Sequence, residues 1–318
     1  MGNKPLFSVV IPVFNSQESL VELHRSLAET FRSMKKTYEL IFVNDCSHDG
    51  SLAVLRKLKK NDQRVKVIDL SRNYGQQNAL LCGFNYCSGG YVITIDDDLQ
   101  NPPQEISKLY QKICEGYDAV FASYRKKKDK KYKNLGSLLI RKLTQKIFNL
   151  RNNLKFSSFR IIKRSIVEEL KQKKTAYPYI SGMILNITRQ VANVEVKHEK
   201  RRYGKSNYTF GRLVKLAFNL LINYSTYPLK IISVGGIVIS IISFSIGIIV
   251  LVRKLMEESV RAGWTSTIMM ISFFASMFFL IAFIFGEYLK RILTEVENDK
   301  QYAIKSVLKT ESEDEHTP

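Results

Sequence analysis

The residues with the clearest capacity for chemistry are three consecutive carboxylates, Asp96, Asp97 and Asp98, which close a short apolar run. A single acidic residue after a strand is commonly a helix cap. Three adjacent carboxylates repel one another unless a cation compensates their charge. Carboxylate oxygens from this run, together with the amide oxygen of Gln100, suit a hard divalent ion that keeps coordination sites for substrate phosphates. The pattern therefore predicts a metal site at this point of the chain.

Four short, nearly continuous apolar runs in the first hundred residues are typical of parallel strands covered on both faces. These runs are Phe7–Val13, Tyr38–Asn44, Val65–Asp69 and Tyr91–Asp96. Helical patterns separate them over Glu18–Met34, Ser51–Asn61 and Gln76–Cys87. This alternation predicts an α/β fold with an open, mostly parallel sheet. Ligands of such sheets bind beyond the carboxyl ends of the strands, where the three carboxylates lie.

Polar residues follow every predicted strand, at Pro12–Asn15, Asn44–Ser47, Ser71–Gly75 and Asp96–Gln100. The first strand is not followed by G-x-G-x-x-G, and no G-x-x-x-x-G-K-[ST] occurs, which excludes dinucleotide and P-loop sites. Residues from Asp45 partly match a calcium loop, but Arg56 stands where that loop requires a glutamate, so the calcium loop is excluded. Asp45 alone is also compatible with a helix cap.

The 318-residue chain has a formal net charge of +20, which implies an anionic partner. Positive charge is densest over Arg125–Lys133, which fits a solvated loop or attraction to anionic lipid headgroups and a lipid phosphate. Nucleic acid is disfavoured because no helix-turn-helix or aromatic-interleaved signature accompanies the charge. The four cysteines form no C-x-x-C pair, which favours reduced thiols over structural zinc.

Two apolar runs without internal charge predict a transmembrane hairpin, although a buried helical hairpin is the alternative. The runs are Ile231–Val252 and Ile268–Gly286. A run of about 22 helical residues spans roughly 33 Å, enough for the bilayer core. The excess of Lys and Arg outside the hairpin predicts that both termini are cytoplasmic. The expected location of the protein is the inner (plasma) membrane.

Four regions are expected along the chain. They are a cytoplasmic catalytic domain over 1–209, an interfacial amphipathic helix over 210–228, the transmembrane hairpin over 229–290 and a partly disordered cytoplasmic tail over 291–318. The interfacial helix rests on the apolar stretch Phe210–Tyr224, which packing on the catalytic domain would also explain.

The motifs at the strand ends resemble those of the inverting family-two glycosyltransferases of GT-A fold. The matching segments are S-V-V-I-P-V-F-N from Ser8, F-V-N-D-C-S-H-D-G from Phe42, L-S-R-N-Y-G from Leu70 and D-D-D-L-Q-N-P-P-Q from Asp96. Within that family the chain is most similar to the polyprenyl-phosphate sugar transferases, which include dolichyl-phosphate mannose synthase and the bactoprenol glucosyltransferases. The likeness continues through Ser158–Ile161, Arg201–Tyr208 and Gly286–Ile292, so it covers almost the whole chain.

The resemblance implies a role for each matching residue. A nucleotide sugar is expected to bind at Pro12, Phe14, Asn15, Asp45, Asp96 and Asp97, with Asp45 on the side of the base or ribose. Mg²⁺ or Mn²⁺ is expected at Asp96, Asp98 and Gln100. The implied catalytic set is Asp98, Arg125, Arg160 and Arg202. A polyprenyl phosphate is expected at Arg125, Arg160, Arg202, Lys205 and Ser206.

Three positions depart from the family pattern. Ser16 replaces a glutamate, Cys46 replaces a glycine, and Ser158 replaces an aspartate sometimes proposed as the catalytic base. A phosphate monoester has a second pKa near ~6, so at neutral pH it is already a dianionic nucleophile. Loss of the aspartate is therefore tolerable if the acceptor is a lipid phosphate.

The expected function is inverting transfer of a sugar, on a UDP donor by similarity, to undecaprenyl phosphate for the cell envelope. A non-lipid acceptor and a degenerate, membrane-bound partner protein are the alternatives, and a homo-oligomer stays open. A processive polysaccharide synthase is disfavoured because the sequence has no Q-x-x-R-W and its one tryptophan is Trp264.

Overall fold

The computed structural model describes residues 4–124, 154–173, 175, 178–199 and 301–308, with scattered positions between 234 and 293. Within these ranges the strands are β1 (Phe7–Val13), β2 (Tyr38–Asn44), β3 (Val65–Leu70), β4 (Tyr91–Thr94), β5 (Ala119–Tyr124), β6 (Arg160–Lys163), β7 (Val191–Val196) and β8 (Ile304–Leu308). The helices are α1 (Leu20–Met34), α2 (Ser51–Asn61), α3 (Gln76–Phe84), α4 (Ile106–Ile113), α5 (Arg164–Gln172) and α6 (Ile180–Ile187). A 3₁₀ turn at Pro103–Glu105 precedes α4.

One mixed sheet organises the described strands in the order β7-β5-β6-β4-β1-β2-β3-β8. The pairs β4–β1, β1–β2, β2–β3 and β5–β7 are parallel. Strand β6 runs antiparallel to β4 and β5, and β8 runs antiparallel to β3. The predicted α/β fold with a mostly parallel sheet is therefore confirmed.

The core lies on both faces of the central strands, as their continuous apolar sequences predicted. Every residue of β1 and β2 is buried. The helix α1 presents leucines and Phe31 at helical spacing to one face, where the Phe31 ring lies 5.4 Å from Phe7 and 4.5 Å from Tyr38. On α3, a Cβ added to Gly83 would lie 2.3 Å from Val10 Cγ1, so the glycine permits close packing of this helix on β1.

The residues that follow the central strands lie together at one edge of the sheet. Parallel pairing places the carboxyl ends of β1, β2, β3 and β4 together, and the antiparallel strand β6 begins at that edge because Thr94 pairs with Arg160. Ser158, just before β6, therefore lies beside the carboxylates that follow β4. The sequence pattern predicted that the ends of the parallel strands meet at one edge. It did not predict the position of β6, because the antiparallel pairing of β6 with β4 joins segments that are distant in the chain.

The chain divides into two compact units, one of residues 1–209 and 298–318 and the other of residues 210–297. Residues 301–308 of the predicted tail are ordered, and they supply β8. The sequence pattern did not predict this strand. Most of the predicted spans at 231–252 and 268–286 lies outside the described residues. At the positions that are described, no helix has both the length and the apolar character needed to cross a membrane.

Residues 301–308 form hydrogen bonds with three other parts of the first unit. Tyr302 Oη accepts a hydrogen bond from Asn85 Nδ2 at 2.7 Å, at the end of α3. Gln301 Nε2 donates to the Lys173 carbonyl at 3.0 Å, after α5. The Ala303 carbonyl accepts from the Ser71 backbone N–H at 2.9 Å, directly after β3. The segment therefore contributes to the fold of the sheet that bears the site.

Truncation after Lys300 is expected to destabilise the first unit, because it removes β8 and the contacts of Tyr302. With each lost hydrogen bond contributing ~1 kcal/mol, the free energy of unfolding should fall by about 2 to 5 kcal/mol. Truncation after Leu308 is the matched control, since it keeps β8 and should leave stability unchanged. Chemical unfolding of the three chains measures the difference, and equal stability of all three would contradict this role of β8.

Candidate active site

Both oxygens of Asp96 are held by side chains from different elements. Gln76 Nε2, in the first turn of α3, donates to Asp96 Oδ1 at 2.5 Å. Ser158 Oγ, just before β6, donates to Asp96 Oδ2. Burial raises the pKa of Asp96, the Ser158 hydrogen bond lowers it, and the neighbouring charge of Asp98 raises it again. Asp96 is thus oriented by neutral donors in a negatively charged environment.

Arg160 lies beneath this carboxylate, at 1% exposure. Its Nε donates to Thr94 Oγ1 at 3.0 Å and its Nη1 to Ser181 Oγ at 2.9 Å. Burial lowers the pKa of Arg160 to about 10, opposed by the charges of Tyr179 and Asp96. The guanidinium therefore acts on Asp96 through charge from inside the fold, and its direct contact with a phosphate stays a prediction.

Asp97 faces the end of β1. Its Oδ2 accepts from the Phe14 backbone N–H at 3.3 Å. Burial raises the pKa of Asp97 to about 7, while hydrogen bonds from Ser16 and the Phe14 backbone act in the opposite direction. Ser16, which departs from the family glutamate, thus contacts the carboxylate triplet. A glutamate there would add another negative charge beside Asp97.

The backbone turns sharply after Asp98. Leu99 has a φ of 58°, in the left-handed region, and Asp98 Oδ1 accepts the Gln100 backbone N–H at 3.1 Å. Gln100 is tied to the chain after β7, because its carbonyl accepts from the Glu199 N–H at 2.9 Å and its Nε2 lies 3.4 Å from the Glu199 carbonyl. Asp98 and Gln100 are therefore fixed close to Asp96, and their role as metal ligands stays a prediction.

The donor set fits a hard divalent cation that is completed by substrate oxygens. Asp96 and Asp98 each raise the pKa of Asp97, behind the larger effect of burial, so the three carboxylates interact electrostatically. Among the residues that the structure describes, no three His, Cys, Asp or Glu side chains converge to enclose a metal ion by themselves. Asp96 and Asp98 would thus hold the ion together with phosphate oxygens of a donor, the arrangement that Mg²⁺ commonly takes.

The ends of β1 and β2 are linked through Asn15. This residue has a φ of 53°, its N–H donates to Ser47 Oγ at 3.0 Å, and its Oδ1 accepts the His48 N–H at 2.8 Å. The Phe14 ring is 43% exposed at the site, whereas Pro12 is buried within β1. Cys46 has a φ of 55°, which explains the family preference for glycine at its position.

Asp45 holds the loop after β3. Its Oδ1 accepts the Tyr74 N–H at 2.7 Å and its Oδ2 the Gly75 N–H at 2.8 Å. The side chain is buried, and burial raises the pKa of Asp45 against the opposing effect of these two amides. Asp45 is thus neither a helix cap nor freely directed at a ligand in this structure. It orders a loop that borders the expected nucleotide site.

Tyr124, Asn101 and His198 form a further part of the site that sequence reasoning missed. Tyr124 Oη donates to Asn101 Oδ1 at 2.7 Å, and the His198 ring packs edge-on against Tyr124 at 4.3 Å. Burial raises the pKa of Tyr124, and the charges of Asp96 and Asp98 raise it further. The ring therefore lies within the field of the carboxylates. The separation of 74 positions between Tyr124 and His198 left no local signal for this contact.

The remaining expected site residues, Arg125, Arg202, Lys205 and Ser206, lie outside the described residues. Their roles stay predictions. The structure brings together the residues expected from the strand ends, and adds Gln76, Ser158 and Tyr124 around Asp96.

Comparison with known proteins places this site in a family. The model of glycosyl transferase family 2 matches residues 8–171. The chain is 33% identical over 299 residues to the uncharacterized glycosyltransferase YkcC of Bacillus subtilis (strain 168), covering 94% of this chain and 93% of the relative. It is 33% identical over 304 residues to the undecaprenyl-phosphate 4-deoxy-4-formamido-L-arabinose transferase of Proteus mirabilis (strain HI4320), covering 95% and 93%.

A solved structure shares the fold. It is glucosyl-3-phosphoglycerate synthase from Mycobacterium tuberculosis in complex with Mn²⁺, UDP and phosphoglyceric acid, with a TM-score of 0.50 and 17% identity, covering 69% of this chain and 76% of that chain. The family model and the two relatives therefore define the class as a glycosyltransferase. The chain belongs to glycosyltransferase family 2.

Substitution of Asp45 is expected to weaken nucleotide binding by releasing the loop at Tyr74 and Gly75. Asp45→Ala loses both acceptors and should bind a nucleoside diphosphate at least about tenfold more weakly, since the loss of even one hydrogen bond to a charged group costs ~1.5–3 kcal/mol. Asp45→Asn keeps one carbonyl acceptor and should have an intermediate effect. Calorimetric titration with UDP and GDP measures the series. Wild-type affinity in a folded Asp45→Ala protein would contradict the role assigned to this loop.

Proposed function

We propose that the protein transfers a sugar from a nucleotide sugar to polyprenyl phosphate, with a divalent metal ion and with inversion at the anomeric carbon. The observation that carries this proposal is the carboxylate set at the end of β4, with Asp96 held by Gln76 and Ser158. The similarity over nearly the whole chain to a transferase named for undecaprenyl phosphate supports the choice of acceptor.

The acceptor follows from the chemistry at Ser158. The hydroxyl of Ser158 donates a hydrogen bond to Asp96 and is not a base at neutral pH, so this position lacks the carboxylate that family members carry. An alcohol acceptor needs deprotonation during attack, whereas a phosphate monoester is already ionised above ~pH 6. A polyprenyl phosphate therefore suits this site without a carboxylate base at this position.

The charge that develops on the leaving nucleoside diphosphate requires compensation in the transition state. A divalent ion at Asp96 and Asp98 would offset that charge. Arg160 supplies a fixed positive potential from beneath Asp96. Attack by the acceptor on the face opposite the leaving diphosphate, in a single displacement, gives inversion.

The membrane anchor and its orientation are part of the same proposal. Large apolar side chains are exposed at described helical positions of the second apolar run, namely Met270, Ile271, Phe273, Phe278 and Phe285. Such exposure suits contact with lipid. Strands β1 to β7 and β8 share one sheet, so the chain between β7 and β8 begins and ends on one side of any bilayer it enters. An even number of spans satisfies this constraint, and the hairpin over 229–290 has two.

Transfer is tested with purified protein, undecaprenyl phosphate, Mg²⁺ or Mn²⁺ and a panel of UDP and GDP sugars. Wild type should form one lipid-linked sugar, and chelation should stop the reaction. Asp98→Ala should lower turnover at least ~10²-fold, because removal of one preorganised electrostatic group commonly costs that much. A folded Asp98→Ala protein with wild-type turnover in saturating metal would refute the assigned metal site.

Orientation is tested by thiol labelling of intact cells. A Ser259→Cys protein that also carries Cys114→Ser should react with an impermeant maleimide, because the Arg253–Trp264 connection is expected outside. The native Cys114 is exposed in the first unit and is the matched control in wild type. It should react only after permeabilisation. Labelling of Cys114 in intact cells, with none at position 259, would reverse the proposed orientation.

A further inference from the structure

Ser158 occupies an unusual place in the site, since it touches the expected metal-binding carboxylate directly. Its Oγ donates a hydrogen bond to Asp96 Oδ2. Gln76 Nε2, at the start of α3, donates a hydrogen bond to Asp96 Oδ1. The two donors together occupy one position on each carboxylate oxygen. Each oxygen keeps a further lone pair that a cation can use.

A chain of hydrogen bonds holds the backbone of Ser158 in place and so fixes the direction of its hydroxyl. Thr94 Oγ1 donates to the Ser158 carbonyl and accepts from Arg160 Nε at 3.0 Å. Arg160 Nη1 in turn donates to Ser181 Oγ at 2.9 Å, in the first turns of α6. Three buried side chains, Thr94, Arg160 and Ser181, therefore hold the Ser158 backbone through Thr94 and direct the Ser158 side chain toward Asp96.

A carboxylate at position 158 would have the opposite effect on this arrangement. It would place a second negative charge at the Asp96 Oδ2 atom, in a site where Asp97 and Asp98 already repel Asp96. The serine instead supplies an uncharged hydrogen-bond donor to Asp96 Oδ2. The substitution thus changes the role of the position from a source of charge to a support for a neighbouring ligand.

We propose that Ser158 and Gln76 are positioning residues that hold the Asp96 carboxylate in the orientation required for the metal ion and the donor diphosphate. The inference rests on the proposed metal-dependent transfer. It assigns to Ser158 a supporting role in place of the base role that its position has been given in related enzymes. Neither residue exchanges a proton with the substrate.

The test is Mn²⁺ binding to the full-length protein, followed by electron paramagnetic resonance with and without UDP. Ser158→Ala and Gln76→Ala should each weaken Mn²⁺ binding about 10- to 100-fold, the usual effect of removing a partner that orients a metal ligand. Ser158→Thr keeps the hydroxyl and should retain most of the affinity. In transfer assays the same two alanine variants should raise the apparent KM for Mn²⁺ more than they lower kcat.

Neighbouring residues of the same types provide matched controls. Ser157 Oγ lies against the Ala122 and Phe159 carbonyls, and Gln77 Oε1 accepts from the Ile180 N–H, so neither touches Asp96. Ser157→Ala and Gln77→Ala should bind Mn²⁺ within about twofold of wild type, because they leave the metal ligands and their partners in place. Gln76 is exposed at the start of α3, so Gln76→Ala gives a folded test even if Ser158→Ala unfolds.

The outcomes separate this inference from the function on which it rests. If wild type binds Mn²⁺ with UDP and the two alanine variants match it, the positioning role is wrong while the proposed function stands. If wild type binds no Mn²⁺, metal-dependent transfer itself fails, and the positioning role with it. A hundredfold gain in kcat for Ser158→Asp would also overturn the inference, since a base contributes ~10²–10⁴-fold only where a proton must be removed.

Discussion

The mutual repulsion of three carboxylates at the end of β4 is the constraint on which the rest of the site depends. Asp96, Asp97 and Asp98 lie at one strand end, where burial raises the pKa of Asp96 and of Asp97. Hydrogen-bond donors in fixed positions stabilise these carboxylates. They are the side chains of Gln76 and Ser158 and the backbone N–H groups of Phe14 and Gln100. A buried guanidinium at Arg160 adds a positive charge that lowers the pKa of Asp96. A divalent ion would complete the compensation.

The sheet topology makes this arrangement possible. Parallel pairing of β1 with β2 and β4 brings three polar strand ends to one edge, and the return of β6 beside β4 delivers Ser158 and Arg160. Strand β8 closes the other side of the sheet and holds the start of the loop at Ser71, whose far end Asp45 anchors. Both ends of this loop, which borders the expected nucleotide site, are therefore fixed by residues distant from it in sequence.

The sequence allowed prediction of features that depend on local pattern. The four central strands, the helices between them and the carboxylate triplet follow from apolar runs and from polar residues at the strand ends. Predicting that Asp45 binds the Tyr74 and Gly75 amides required knowledge of how two loops meet. The same is true of the Tyr124–His198 contact and of the strand β8. Ser158 was noted as a departure, but its hydrogen bond to Asp96 follows only from the β4–β6 register.

Arg160 shows what the structure adds to a motif. The resemblance at S-F-R-I implies a phosphate ligand, which stays a prediction, and the structure shows that the guanidinium is buried against Thr94, Ser181 and the Phe121 ring. A buried guanidinium needs both hydrogen-bond partners and a compensating charge. Asp96 supplies part of that charge, so the arginine and the expected metal ligand support each other.

We expect this site to use a phosphate dianion as nucleophile and therefore to need no carboxylate at position 158. Two acceptors with the same polyprenyl chain, undecaprenyl phosphate and undecaprenol, are compared by mass spectrometry of the products. A sugar linked through phosphate should form with the first acceptor, and no product should form with the second. Transfer to undecaprenol at a comparable rate, with none to undecaprenyl phosphate, would contradict this expectation.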